Sequence, residues 1–213
     1  MSELQNKKDR LITFDTGQIL YPSSNGIITA IHDDATAFIK ELAIRKTRAE
    51  LTLEDILEIQ RKACPEGPFG FRGPGIYEIK TLTTTGRIIL PLYHEVIDKK
   101  LPEKLVHWIN VVSGNRIAVA AIAHVLLVGM HPFEDGNGRT AHLLMNLILL
   151  QEGLPCISID DFFAYGEALS VIYLPNQMAL FEILEKTEAD EKGPQVALFC
   201  ELLHEIVCRR LDL

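Results

Sequence analysis

The chain has a deficit of positive charge, no cysteines in a ligating arrangement and no apolar run long enough to cross a membrane. Each lack removes a class of function. Lysine and arginine number 21 against 29 aspartates and glutamates, giving a net charge of −8 and a pI near 5.4. A nucleic-acid-binding surface leaves a basic footprint, so no nucleic-acid partner is expected. The four cysteines, Cys64, Cys156, Cys200 and Cys208, form no Cys-x-x-Cys and show no zinc spacing. They read as buried free thiols of a reducing compartment. Met1 to Arg10 is charged and lacks an apolar core. That gives a cytoplasmic expectation and leaves open export without a cleavable signal. Ile117 to Met130 is apolar apart from His124, yet it falls short of the ~20 residues a span needs. It reads as a buried core helix, with no membrane partner expected. No repeat or low-complexity tract stands out. A length of 213 residues with 47% hydrophobic content suits one domain with a substantial core and excludes wholesale disorder.

Reactive side chains crowd together in one place, His131-Pro132-Phe133-Glu134-Asp135-Gly136-Asn137-Gly138-Arg139. His131, with an ordinary pKa of about 6.5, is a candidate general base near neutral pH. Asp135 is a hard oxygen donor of the kind that holds Mg²⁺ together with phosphate oxygens. Gly136 and Gly138 let successive main-chain N–H groups turn toward one anion. Asn137 adds an amide donor, and Arg139 a planar, permanently charged fork suited to phosphate. Thr140 to Gln151 is almost wholly apolar and of helix-forming composition, closed by Gly153 with Pro155 beyond. The glycine loop is therefore expected at the N-terminus of a buried helix, where free amides and the helix dipole favour phosphate. A base, a metal carboxylate, a phosphate cradle and an arginine point to transfer of a phosphorus group to a hydroxyl.

This stretch resembles the signature loop of the Fic (filamentation induced by cAMP) family, His-Pro-Phe-x-Asp/Glu-Gly-Asn-Gly-Arg-x-x-Arg, and matches every specified position but the last. There His142 stands where the family has a second arginine. A weaker resemblance covers roughly Leu51 to Leu169, including Arg72-Gly73-Pro74-Gly75 and the Trp-x-Asn of Trp108 to Asn110. The resemblance implies a mainly α fold, a compact helical bundle with a small β-hairpin flap. It divides the chain into an N-terminal extension, 1–50, packed on a catalytic domain with C-terminal helices, 51–213. It also implies a protein adenylyltransferase that moves AMP from ATP, with Mg²⁺, to a Ser, Thr or Tyr hydroxyl. In that scheme His131 takes the hydroxyl proton and Asp135 holds the metal. Gly136, Asn137 and Gly138 brace the α-phosphoryl oxygens, and Arg139 binds the β-phosphate. Phe133 anchors the loop; Glu134 has no assigned role.

His142 falls one helical turn after Arg139 on the same face, within reach of a phosphate, but it carries charge only when protonated. The remaining histidines, His32, His94, His107, His124 and His204, lack ligand spacing and read as capping, surface or core residues. Tyr77 to Leu90 alternates around Thr85-Gly86 as a hairpin, which by resemblance is the flap that pairs with the protein substrate by strand addition. Asp161 to Leu169 resembles the helix near the nucleotide base, with Tyr165 either a stacking partner or a core tyrosine.

Elsewhere the patterning predicts a turn at Pro22 to Gly26 and helices over Ile27 to Lys46, from Thr52, over Pro102 to Trp108, Arg116 to Met130, Asn176 to Lys186, and Pro194 to Leu211. The family's inhibitory motif, Ser/Thr-x-x-x-Glu-Gly/Asn, has no good match. Ser23 to Ile27 lacks the glutamate, and Thr187 to Glu191 is followed by Lys192. Two other readings stand beside adenylylation: a regulatory module that binds nucleotide without transfer, and an enzyme using another donor or removing AMP.

Overall fold

The computed structural model describes residues 19–22, 27–75, 78–80, 87–170 and 177–212, with backbone alone at 78–80, 87–89 and 177. Two helices carry the architecture, α4 (Arg116–Met130) and α5 (Asn137–Gln151), which follow one another with only residues 131–136 between them. From Ala118 to Met130, and again from Thr140 to Leu150, every side chain is buried. A helix apolar on all sides must lie at the centre of its domain, and the others pack around this pair. They are α1 (Asp33–Arg45), α2 (Leu53–Ala63), α3 (Leu101–Val111), α6 (Phe162–Ser170), α7 (Gln177–Leu180) and α8 (Ala197–Arg210). The expected mainly α bundle is thus the observed one. No helix among the described residues is long and apolar enough to cross a membrane.

Two antiparallel hairpins complete it. The strands β1 (Leu20–Pro22) and β2 (Ile28–Ala30) pair Tyr21 with Thr29, and β3 (Glu78–Lys80) and β4 (Arg87–Ile89) pair Ile79 with Ile88. The second pair falls inside the hairpin expected at Tyr77 to Leu90, whose turn at Thr85-Gly86 lies outside the described residues. So do Met1 to Arg10, most of the turn at Pro22 to Gly26, and with it most of the N-terminal candidate for an inhibitory motif.

Most helix ends follow the sequence. Thr52 caps α2 in a reciprocal box, its hydroxyl accepting the Asp55 N–H at 3.3 Å while the Asp55 carboxylate accepts the Thr52 N–H at 2.8 Å. Asn115 caps α4 by accepting the Ile117 N–H at 3.0 Å. Asn110 of the Trp-x-Asn run donates to the Leu51 carbonyl at 3.0 Å, tying α3 to the start of α2.

Three expectations are corrected. The helix expected from Ile27 begins at Asp33, because β-branched Ile27, Ile28 and Thr29 favour the strand β2. The terminal helix starts at Ala197 rather than Pro194. The helix expected through Asn176 to Lys186 is α7 followed by a tighter 3₁₀ segment, Phe181–Glu185.

Candidate functional site

The junction between α4 and α5 positions the reactive residues. His131 ends α4 in a left-handed conformation, φ 47° and ψ 55°, its N–H donating to the Leu127 carbonyl at 3.1 Å. Such a conformation is uncommon outside glycine and turns the chain sharply out of the helix. His131 keeps a narrow exposure, but its ring is hemmed in by protein. Burial pushes its pKa down to about 4, the nearby Val128 carbonyl and Asp135 pulling it up and Arg72 pulling it further down. Although Val128 favours the charged form, Nδ1 makes no well-formed hydrogen bond. At neutral pH His131 is therefore neutral and free to accept a proton.

The loop then closes on itself. Asn137 Oδ1 accepts the Phe133 N–H and Nδ2 donates to the Phe133 carbonyl, both at 2.9 Å, with Asn137 only 2% exposed. Phe133 is buried, as an anchor must be, and its ring stacks on Phe71 at 5.9 Å between centroids. Gly136 takes φ 83° as the residue before α5; a Cβ there would lie 2.2 Å from Cys64 Sγ. Glycine is required on both counts. Burial pushes the Cys64 thiol up to about 11, with Arg139 opposing and Asp135 adding to the rise.

Beyond Gly136, α5 begins with main-chain N–H groups at residues 137–139 that have no carbonyl one turn back; the first helical bond is Thr140 N–H to Gly136 O at 2.8 Å. Arg139 lies beside them. Its Nη1 donates to the Ala63 carbonyl at 2.8 Å and its Nη2 to Asp135 Oδ2 at 3.1 Å. Asp135 Oδ1 accepts the Gly136 N–H at 2.6 Å, and the carboxylate remains about half exposed. The structure thus pairs Asp135, the expected metal ligand, with Arg139, the expected phosphate ligand. Asp135 is one hard carboxylate with open access, which fits a Mg²⁺ ion that takes its other ligands from water and phosphate. No group of three or more His, Cys, Asp or Glu able to hold a metal occurs among the described residues.

Two site expectations change, at Asn137 and His142, and Tyr165 takes the second of its two readings. The Asn137 amide does not point to a ligand; its side chain is committed to Phe133, leaving the main-chain N–H as its contribution. His142 is fully buried, with Nδ1 at 2.9 Å from the Gly138 carbonyl and 3.3 Å from His124 Nε2. Burial pushes its pKa down to about 4, so at neutral pH it offers a phosphate neither access nor charge. Its ring sits among Tyr21, His124 and Tyr165. Tyr165 belongs to that same cluster, 6% exposed with its hydroxyl 3.4 Å from His124 Nε2, and is a core tyrosine.

Sequence reading missed one residue and left another without a role. Gln60, fully buried on α2, donates to the carbonyls of Asp135 at 3.1 Å and Pro68 at 3.0 Å and accepts the Gly70 N–H at 3.2 Å. Arg72, noted only within a glycine-rich run, is 1% exposed and donates from Nε to the His131 carbonyl at 2.8 Å. A long polar residue at a core-facing helix position is the one signal that marked Gln60.

The fold and site together define a mainly helical domain organised around a glycine-rich loop that enters a buried helix. Residues 50–149 match the family model described as Fic/DOC family. It is 35% identical over 126 residues to protein adenylyltransferase fic-1 of Caenorhabditis elegans, covering 58% of this chain and 24% of that protein. To protein adenylyltransferase Fic of Drosophila grimshawi it is 34% identical over 134 residues, covering 60% and 26%. The chain therefore spans about a quarter of the length of these relatives. Among solved structures, a Fic-domain-containing signalling protein from Bacteroides thetaiotaomicron matches with a TM-score of 0.62 at 23% identity, over 84% of this chain and 67% of that one. Fic-1 from C. elegans (residues 134–508) matches at 0.56 and 25%, over 84% and 49%.

Proposed function

We propose that this chain transfers AMP from ATP to a Ser, Thr or Tyr hydroxyl of a target protein. The observation that carries the reading is the placement of neutral His131 one short loop before the unpaired amides at the start of α5. The hydroxyl oxygen attacks the α-phosphorus, its proton passes to the His131 ring, and the bond to the pyrophosphate oxygen breaks. The main-chain N–H groups of residues 137–139 receive phosphoryl oxygens, where the helix dipole adds to their effect. Arg139, released from Asp135, pairs with the departing phosphates. Asp135 is the residue that would hold Mg²⁺, which when bound neutralises phosphate charge. Most of the acceleration comes from such positioning and fixed electrostatics. The β3–β4 hairpin is the edge on which a target segment adds as a strand, with main-chain bonds setting its register.

The test is the intact mass of the purified chain with ATP and Mg²⁺, alone and with a lysate, beside the His131→Ala variant. A gain of one AMP that the variant does not produce supports the reading. An equal gain with the variant removes His131 as the base, and no gain with ATP removes adenylylation. The burial and neutrality of His142 favour one second reading, a nucleotide donor other than ATP, because the loop then offers Arg139 without a second cation. Running the same assay across nucleotide donors separates the two.

A further inference from the structure

We infer that Arg72 is a positioning residue that locks the His131 turn to the base of the β3–β4 hairpin. The general base and the edge that presents the hydroxyl then keep one geometry. The inference rests on the proposed transfer and on four contacts made by one buried residue and its neighbour, two of them from the Arg72 side chain. Arg72 Nε donates to the His131 carbonyl at 2.8 Å, and Nη2 donates to the Pro91 carbonyl at 2.5 Å. The Arg72 main-chain N–H donates to the Pro132 carbonyl at 2.9 Å, and Phe71 bridges antiparallel to Phe133.

Each contact answers a need. His131 lies past the end of α4 in a left-handed turn, so its carbonyl is one that no helix can satisfy. Pro91 follows β4 by two residues, is buried, and marks where the hairpin rejoins the core. Leaving either carbonyl unpaired in the interior is costly. A guanidinium can serve both because its donors spread in a rigid plane; a lysine ammonium carries one charge centre on a flexible stem. The span is functional as well as structural. Pulling on the hairpin when a target strand docks also pulls on the carbonyl of the residue that takes the proton. The positive charge of Arg72 adds to what keeps His131 neutral.

The experiment compares wild type, Arg72→Met and Arg72→Lys by steady-state transfer and by amide hydrogen exchange. In Arg72→Met, kcat is expected to fall at least tenfold and KM for the target to rise, with KM for ATP within about twofold. Arg72→Lys recovers part of the loss. Exchange quickens in both segments 87–95 and 131–136 while α8 keeps its wild-type protection. The inference is overturned if Arg72→Met leaves both segments protected as in wild type. It is equally overturned if exchange quickens throughout, α8 included, without rescue by lysine, since that describes a general loss of packing. Should wild type transfer nothing, the adenylylation reading fails on its own, and the exchange arms still decide whether Arg72 joins the two segments.

Discussion

Phe133 and Asn137 hold each other through two hydrogen bonds of 2.9 Å each, amide to side-chain oxygen and side-chain nitrogen to carbonyl. The signature loop is therefore shaped by its own residues before a ligand arrives. An asparagine in a glycine-rich loop looks like a ligand contact, yet here its side chain acts as the clasp that shapes the loop.

Replacing that clasp makes two roles separable. Asn137→Ala leaves a buried N–H and a buried carbonyl without partners, and each such group costs about 1–3 kcal/mol. The unfolding free energy from urea titration should fall accordingly, by about 2–6 kcal/mol in total, and transfer should fall with it. Asn137→Asp keeps the acceptor for Phe133 N–H and loses the donor, so it retains part of the loop order. If Asn137→Ala weakens nucleotide binding while stability is untouched, the side chain faces the ligand instead.

Gly136 allows a test by double mutation. Its φ of 83° strains any L-residue, and an added Cβ would lie 2.2 Å from Cys64 Sγ. Gly136→Ala should lose about 1–2 kcal/mol from backbone strain alone, plus whatever the clash adds. Cys64→Ala takes away the sulfur, so the double variant should recover the clash and keep the strain. A coupling energy near zero between the two substitutions in a denaturation cycle would show that α2 shifts freely and that Cys64 does not define the space.

Much of this was legible in the sequence, and the reasons are physical. The two central helices announce themselves by apolar composition, and the loop between them by glycines beside His131, Asp135 and Arg139. Legibility ends where a side chain's direction depends on distant chain. Gln60 and Arg72 grip the loop from residues far away in sequence, and no local pattern encodes those pairings. His142 follows Arg139 at helical spacing, yet a few tens of degrees around α5 take it from the side of Arg139 into a cluster with His124 and Tyr165. The strand at Ile28 to Ala30 overrode a helical apolar spacing because its β-branched residues pair with β1.

The pairing of Asp135 with Arg139 fixes the sign of a metal-dependence experiment. The carboxylate occupies the arginine at 3.1 Å, so a triphosphate must displace it unless a cation takes the carboxylate first. Asp135→Asn removes both the proposed metal ligand and the competitor. Nucleotide affinity measured in EDTA should therefore stay level or rise in the variant, and the gain on adding Mg²⁺ should vanish. In wild type, Mg²⁺ should raise affinity and EDTA should reverse the gain. A variant that still gains affinity from Mg²⁺ places the metal on some other group.

Stability should also depend on pH in a defined window. Burial holds His131 and His142 down to about 4 and His124 well below the ordinary value, His142 adding to the last effect. An unfolded chain protonates these side chains near 6.5, whereas the folded chain keeps them neutral until much lower pH. Between those limits the unfolded state binds more protons, so stability is complete above about 6.5 and is lost as pH falls toward 4. Each histidine adds a slope of up to about 1.4 kcal/mol per pH unit. His124 and His142 share one environment, 3.3 Å apart, so the first proton to enter opposes the second and their slopes do not simply add. Asp55 has the same sign at lower pH. Burial raises its pKa, but hydrogen bonds from Lys46 and Thr52 outweigh that and lower it overall. Urea unfolding from pH 7.5 to 4.5 isolates the histidines from it. His142→Gln, which retains a donor for the Gly138 carbonyl, should flatten the slope by about one histidine's share. A wild-type midpoint that is level across this range would mean that the histidines are not held neutral by the core.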